Sequence, residues 1–182
     1  MQEFVLVRHG QTLQNRLGLI QGRIDTDLNE EGEAQARRLK EDLRDEHFDA
    51  VYASPLIRAL RTAQIIVEDR NLPIITDARL MEIDQGDWTL KKGRELFKTL
   101  ERYRSWVADP TVAYPPGGET IHDVAQRAKS FIEDAQVGNI LVVAHGGLIA
   151  VIHSILEPRP LSRAWEFLPR NGQIMRLHVK AI

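Results

Sequence analysis

The sequence predicts an α/β fold in which helices cover both faces of a mostly parallel sheet. Short apolar runs rich in β-branched residues alternate with longer segments whose apolar residues recur every three or four positions. The last run, Gln173–Lys180, instead alternates apolar and charged residues, as antiparallel edge strands do. We therefore expect a three-layer α/β/α sandwich with one antiparallel edge strand, formed by residues 1–182 as a single domain.

Four short apolar runs are predicted to form the buried strands of this sheet. They are Glu3–Val7, Asp49–Ala53, Leu72–Thr76 and Asn139–Ala144. Five longer segments carry an apolar stripe at helical spacing. They are Glu30–Glu46, Pro55–Asp69, Lys92–Val107, Thr120–Ala135 and Leu148–Leu156.

Two of these helices carry signals for their first residues. Ser54 precedes Pro55, and a serine N-cap followed by proline at the first helical position is a frequent arrangement. Thr120 and Asp123 have the spacing of a capping box. We expect Ser54 and Thr120 to be the N-caps of their helices.

The composition excludes several classes of protein and site. The chain of 182 residues has no cysteine, which excludes disulfides, thiolate catalysis and iron–sulfur clusters. Its 24 basic and 26 acidic side chains give a formal net charge of −2, which argues against nucleic-acid or membrane partners. No pair of its histidines has the spacing of a helical metal site, so we expect no metal and no other cofactor.

The first apolar run is too short for the core of a signal peptide, and no stretch of 18 apolar residues follows it. We therefore expect a cytoplasmic protein. The sequence does not fix the oligomeric state and leaves a homodimer open.

Residues suited to anion binding follow the predicted parallel strands. The first strand runs into Arg8 and His9, and the fourth runs into His145. Arg58 follows the second strand, and Glu82 follows the third. Because ligands bind beyond the carboxyl ends of parallel strands, we expect these five side chains to converge on one rim. Taken singly, each has an ordinary structural alternative, such as a backbone-bonded histidine or a solvated arginine.

Two arginines and two histidines around one cavity would bind a compact dianion, and phosphate is the expected one. Hydrolysis of a phosphate monoester would then gain from electrostatic stabilisation and from a covalent intermediate. Without cysteine, the candidate nucleophiles are histidine, serine, threonine and the carboxylates. Neighbouring arginines lower the pKa of a histidine and keep it neutral. Glu82 is the candidate proton donor, because an acid beside a bound dianion tends to keep its proton.

Several motifs, in this order, resemble those of the histidine phosphatase superfamily, in its phosphoglycerate-mutase-like branch. The stretch Val5–Asn15, VLVRHGQTLQN, is similar to the signature of that family. Further similar segments are Gln21–Gly32, Ser54–Ala63, Leu80–Trp88, Gly117–Thr120 and Ala144–Gly147.

The resemblance implies a role for each candidate residue. His9 would be the phosphorylated nucleophile, and Glu82 would be the general acid and later the base for water. The phosphoryl group would be bound by Arg8, Arg58 and His145. The phosphate pocket would be lined by Asn15, Gln21, Gly22 and the backbone of Gly146.

The resemblance also separates alternative functions. Family members often have Glu-Gly or Ser-Gly after the tryptophan, whereas Thr89-Leu90 follows Trp88 here, at the loop expected to face the substrate. The mutases of this branch carry a longer insertion after the acid glutamate and an extended carboxyl-terminal tail. A short lid favours hydrolysis, because mutases exclude water. We expect a phosphatase acting on a small phosphorylated substrate; phosphoryl transfer of the mutase type and a phosphate-binding module without turnover are the alternatives.

Overall fold

A five-stranded sheet forms the centre of the computed structural model, which describes residues 2–179. Its order is β3-β2-β4-β1-β5; β1 to β4 are parallel, and β5 is antiparallel to β1. The predicted mostly parallel sheet with an antiparallel edge strand is confirmed, although Lys180 of the predicted last strand lies outside the described residues. The strands are β1 (Gln2–Arg8), β2 (Ala50–Ala53), β3 (Ile74–Thr76), β4 (Asn139–Ala144) and β5 (Ile174–Val179).

Helices pack on both faces of this sheet, because its central strands are apolar on both sides. In β1, Phe4 and Leu6 contact one core, and Val5 and Val7 contact the other. The first core lies under α6 and α7, and the second lies under α2 and α3. The helices are α1 (Leu13–Leu17), α2 (Glu30–Asp42), α3 (Ile57–Ile66), α4 (Gly93–Thr99), α5 (Glu101–Ala108), α6 (Ile121–Asp134) and α7 (Gly146–Leu156).

The predicted helix Lys92–Val107 is two helices, α4 and α5, separated by Leu100 in an extended conformation. Leu96 on α4 and Tyr103 on α5 contact the same small core around Trp88. The spacing of apolar residues therefore does not distinguish these two helices from one continuous helix. The short helix α1 was not predicted, because it contains no buried residue and therefore no apolar stripe.

The predicted N-cap Ser54 is wrong. Helix α3 begins at Ile57, so Pro55 lies before the helix and not in its first turn. Asp25 supplies the missing cap from another part of the chain, since its carboxylate accepts the N–H of Ile57 at 2.7 Å. The Thr120–Asp123 capping box is present as predicted, with Thr120 Oγ1 accepting the N–H of Asp123 at 3.2 Å.

The strand register brings three loops to one edge of the sheet. Arg8 pairs with Ala144 at the ends of β1 and β4, and Ala53 pairs with Val143 one step earlier. The residues that follow these strands therefore lie beside one another.

The loop after β1 packs directly on the start of α2. A Cβ atom at Gly32 would lie 2.0 Å from the carbonyl oxygen of Gln11, and one at Gly10 would lie 2.3 Å from the carbonyl oxygen of Gly32. Neither side of this contact has room for a methyl group, because both neighbours are backbone atoms.

This contact predicts that Gly32→Ala destabilises the protein. Helix propensity alone would stabilise it by about 1 kcal/mol, whereas the backbone overlap should lower the free energy of unfolding by about 1–3 kcal/mol. Urea unfolding measures the difference. Gly18→Ala is the control, because its Cβ would meet no neighbour and only its left-handed backbone would be strained. A Gly32→Ala protein as stable as the wild type would contradict the packing argument.

Candidate active site

The structure brings Arg8, His9, Arg58 and His145 together at the carboxyl edge of the sheet. The imidazole rings of His9 and His145 lie 5.1 Å apart between centroids, at an angle of 61°. His9 is 2% exposed, Arg58 is 1% exposed and His145 is fully buried. Two cationic side chains and two imidazoles thus share one site that is almost closed to solvent.

Carbonyl groups, and not carboxylates, hold the two arginines in place. Arg8 Nη1 donates to the carbonyl of Pro169 at 2.7 Å. The two terminal nitrogens of Arg58 donate to the carbonyls of Ile24 and Gly22, each at 2.7 Å. Burial lowers the pKa of both guanidinium groups, and the charge of Glu82 opposes this. The arginines are therefore anchored without a carboxylate that would occupy the donors facing the site.

Three buried nitrogens in this cluster have no hydrogen-bond partner among the described residues. They are Arg8 Nε, Arg58 Nε and His145 Nδ1. A buried donor left without an acceptor costs roughly 1–3 kcal/mol, so proteins rarely keep several of them in one place. Three such nitrogens on side chains of one positively charged cluster indicate a site for an anion that brings its own acceptor oxygens.

The hydrogen bond of His9 fixes its tautomer. His9 Nδ1 lies 2.7 Å from the carbonyl oxygen of Gly10, and a carbonyl oxygen only accepts. Nδ1 therefore carries the proton, and Nε2 carries the lone pair. Burial and then the charges of Arg58 and Arg8 hold the pKa of His9 well below its usual value. At neutral pH its Nε2 is thus a neutral nucleophile.

Ser54 binds His145 through the other ring nitrogen, Nε2. Ser54 Oγ lies 2.8 Å from His145 Nε2 and also accepts the N–H of Leu56. The hydroxyl proton of Ser54 is free to be donated to Nε2, and with that bond in place the proton of the imidazole lies on Nδ1. Burial, followed by the charge of Arg58, lowers the pKa of His145 well below its usual value. His145 therefore offers a neutral N–H donor to the site.

Glu82 lies against the amino terminus of α7, next to the arginines. Its carboxylate accepts the N–H groups of Gly147 at 3.3 Å and Leu148 at 3.2 Å, and that of Ile83 at 2.9 Å. A Cβ atom at Gly147 would lie 2.8 Å from Glu82 Oε1, so glycine makes room for the carboxylate. One residue earlier, a Cβ atom at Gly146 would lie 3.2 Å from Arg8 Nη1. Because neither glycine has a side chain, Arg8 and Glu82 both lie close to the first residues of α7.

Two of the residues predicted from the resemblance to line the pocket, Asn15 and Gln21, are joined to the loop after β1 by hydrogen bonds to Thr12. Asn15 Oδ1 accepts the N–H of Thr12 at 3.1 Å, and Gln21 Oε1 accepts the hydroxyl of Thr12 at 3.0 Å. With their oxygens held in this way, the amide nitrogens of Asn15 and Gln21 have no acceptor among the described residues. Gly22, with φ 54°, provides the carbonyl that binds Arg58.

Sequence reasoning missed two residues that bind the backbone of His9 and Gly10, in the loop after β1. Asn171 Nδ2 donates to the carbonyl of His9 at 3.0 Å and to Asn15 Oδ1 at 3.2 Å. Thr62 Oγ1 accepts the N–H of Gly10 at 3.1 Å. The Asn171-Gly172 pair indicates a turn in the sequence, but no local pattern indicates a contact with a loop some 160 residues away.

The loop beyond Trp88 is strained. Leu90 has a φ of 61°, a left-handed conformation that no other non-glycine residue described in the structure adopts. Such a backbone costs roughly 1–2 kcal/mol in a residue with a Cβ atom. Its N–H donates to the carbonyl of Ile20 at 2.7 Å, beside Gln21 of the pocket. The Thr89-Leu90 pair, which departs from the resembled family, therefore places an apolar side chain that is 52% exposed near the site.

Residues 2–179 show neither a metal-binding cluster nor a membrane-spanning helix. No group of three or more histidine or acidic side chains there is arranged to hold a metal ion. Of the described helices, none combines the length and the apolar character that a bilayer crossing requires.

Comparison with known proteins identifies a family and several relatives of this chain. The family model of the histidine phosphatase superfamily (branch 1) matches residues 4–181. Phosphoserine phosphatase 1 of Hydrogenobacter thermophilus is 35% identical, with 99% of this chain and 88% of that protein covered. Adenosylcobalamin/α-ribazole phosphatase of Escherichia coli is 36% identical, with 92% of this chain and 85% of that protein covered.

A solved structure extends the similarity to the fold. Mycobacterial glucosyl-3-phosphoglycerate phosphatase, in complex with VO3, superposes with a TM-score of 0.88 at 30% identity, over 98% of this chain and 93% of that one. The match of the family model spans nearly every residue, including all five residues that the sequence placed on one rim. The chain therefore belongs to branch 1 of the histidine phosphatase superfamily.

Proposed function

We propose that this protein hydrolyses phosphate monoesters of small metabolites through a phosphohistidine on His9, without a metal ion. The observation that carries the proposal is the set of buried, unpartnered donors of Arg8, Arg58 and His145 around a neutral imidazole. All of these residues belong to one α/β/α unit, so the proposal treats residues 1–182 as one catalytic domain.

The first step transfers the phosphoryl group to the protein. His9 Nε2 gives its lone pair to phosphorus, and the bond between phosphorus and the ester oxygen breaks. Glu82 gives a proton to the departing oxygen, so the leaving group departs as an alcohol. Arg8, Arg58 and His145 donate to the phosphoryl oxygens, where negative charge is spread in the transition state.

The second step returns the protein to its starting state. Glu82, now a carboxylate, takes a proton from a water molecule whose oxygen attacks phosphorus. The bond between phosphorus and His9 Nε2 breaks, and the nitrogen regains its lone pair. Inorganic phosphate leaves, and Glu82 again holds a proton for the next cycle.

The relatives indicate the class of substrate. Their names refer to phosphoserine, α-ribazole and glucosyl-3-phosphoglycerate, which carry different organic groups. The proposed substrate is accordingly a small alkyl phosphate whose alcohol is a poor leaving group. Such an alcohol needs the proton that Glu82 would supply.

The nucleophile can be tested by trapping. After incubation with a radiolabelled phosphate monoester and EDTA and a quench in alkali, we expect acid-labile phosphate on His9 in the wild type. His9→Ala should lose the label and at least about a thousandfold in kcat/KM. His153→Gln is the matched control, because His153 is also buried but stacks on Phe167 away from the site.

The same experiment separates the alternatives. Label that persists in His9→Ala would overturn the assignment of the nucleophile. Transfer of phosphate to a second hydroxyl with little free phosphate would indicate a mutase. Binding of vanadate without turnover on any ester of a broad panel would indicate a binding module.

The neutral histidines predict a dependence of stability on pH. His9 and His145 have lowered pKa values in the folded protein, so below about pH 6.5 the unfolded chain binds protons that the folded chain does not. The free energy of unfolding should be highest above that pH. It should fall on acidification, with a slope of about 1.4 kcal/mol per pH unit for each histidine.

Urea unfolding between pH 7.5 and 5 in phosphate-free buffer measures this slope in the wild type and in His9→Gln. We expect the part of this slope that His9 and His145 contribute together to be about half as large in the variant, because only His145 would still titrate there. An identical slope in both proteins would show that His9 is not held neutral by its surroundings.

Ser54 offers a third test, through the tautomer of His145. In Ser54→Ala the Nε2 atom loses its donor, and the proton of His145 is free to move to that nitrogen, away from the phosphoryl group. We expect kcat/KM to fall by about tenfold, which corresponds to one lost hydrogen bond. Ser54→Thr, which keeps the hydroxyl, should recover part of the loss; equal losses in both variants would rule out the tautomer argument.

A further inference from the structure

A single arginine holds the backbone of the segment that carries Glu82. Arg127, on α6, donates through Nη1 to the carbonyls of Arg79 at 2.6 Å and Met81 at 2.7 Å. Its Nη2 reaches the carbonyl of Glu82 at 3.3 Å. Nε and Nη2 also form a two-pronged pair with Glu119, at 2.9 and 3.1 Å. All five N–H donors of the guanidinium group are therefore used on this segment and its neighbour.

Glu119 completes the support from the other side of Glu82. Its Oε2 accepts the N–H of Asp84 at 2.9 Å, two residues after the proposed acid. Its Oε1 also pairs with Arg23 at 2.9 Å, and Arg23 Nε reaches the carbonyl of Glu82 at 3.4 Å. Arg127 and Glu119 are 14% and 17% exposed, so water competes little for these bonds.

The hydrogen bonds of the Glu82 carboxyl group change when the group gains or loses its proton in the proposed reaction. In the described structure it accepts three backbone N–H groups. When it carries a proton for the leaving oxygen, part of that accepting capacity is lost. Its position then depends more on the backbone, which Arg127 and Glu119 bind on both sides of Glu82.

We infer that Arg127 and Glu119 are positioning residues for general acid catalysis: they hold the backbone around Glu82 so that its carboxyl group meets the leaving oxygen. The inference rests on the proposed function. Neither residue touches the phosphoryl group; both act through Glu82. A misplacement of about 1 Å in a catalytic group costs roughly a hundredfold in rate, which sets the scale of the expected effect.

The test compares two kinds of leaving group. An alkyl alcohol needs a proton in order to leave, whereas p-nitrophenolate leaves without one. In Arg127→Met we expect kcat/KM to fall by about a hundredfold on the best alkyl phosphate of a panel and by less than about threefold on p-nitrophenyl phosphate. Glu82→Gln should show the same selective loss. Arg127→Lys keeps the charge but not the planar guanidinium group, so it should show a smaller selective loss.

A purely structural role would not produce this pattern. If Arg127 only stabilised the fold, both substrates would lose activity together, and that result would overturn the inference. Arg163→Met is the matched control, because Arg163 forms a two-pronged pair with Glu166 at the surface, at 2.7 and 2.9 Å. We expect it to keep both activities.

Further variants keep the result interpretable. Should Arg127→Met fail to fold in a urea titration, Arg127→Lys and Glu119→Gln carry the same comparison, and an unselective or absent loss in both would overturn the inference. Failure of the proposed function is distinct from this outcome: the wild type itself would then form no phosphohistidine and release no phosphate from either substrate.

Discussion

The site depends on positive charge that the fold buries without neutralising it. Arg8 and Arg58 are anchored by carbonyl oxygens, which orient a guanidinium group but do not cancel its charge. A carboxylate partner would have filled the donors that a phosphoryl group needs. Burial, together with the same uncompensated charge, keeps His9 neutral, so one electrostatic arrangement favours binding of a dianion and keeps the proposed nucleophile in its neutral form.

The parallel sheet makes this arrangement possible. It lets residues 9, 54 and 145, which are far apart in the chain, follow strands that end at one edge. Its two apolar faces fix the register of those strands, and α2 then closes on the nucleophile loop through a contact between Gly10 and Gly32 that leaves no room for a side chain. The positions of the charged side chains in the site thus depend on the packing of the sheet and of α2 around them.

Much of this could be predicted from the sequence. The alternation of strand and helix patterns predicts the sheet, and the rule for parallel strands predicts that His9, Arg58 and His145 lie together. Contacts that depend on three-dimensional structure could not be predicted. Ser54 has the local pattern of a helix cap but hydrogen-bonds His145, while Asn171 and Arg127 act on loops distant in sequence. The break at Leu100 was missed because apolar spacing continues across it.

The bond between His9 Nδ1 and the carbonyl oxygen of Gly10 has an evolutionary consequence. An amino-acid substitution changes the side chain but keeps the backbone carbonyl group. The proton arrangement of the nucleophile therefore survives any substitution that preserves the local path of the chain. Side chains that line the space for the alcohol portion of an ester can therefore change without altering the orientation of His9 Nε2, because a main-chain oxygen sets it.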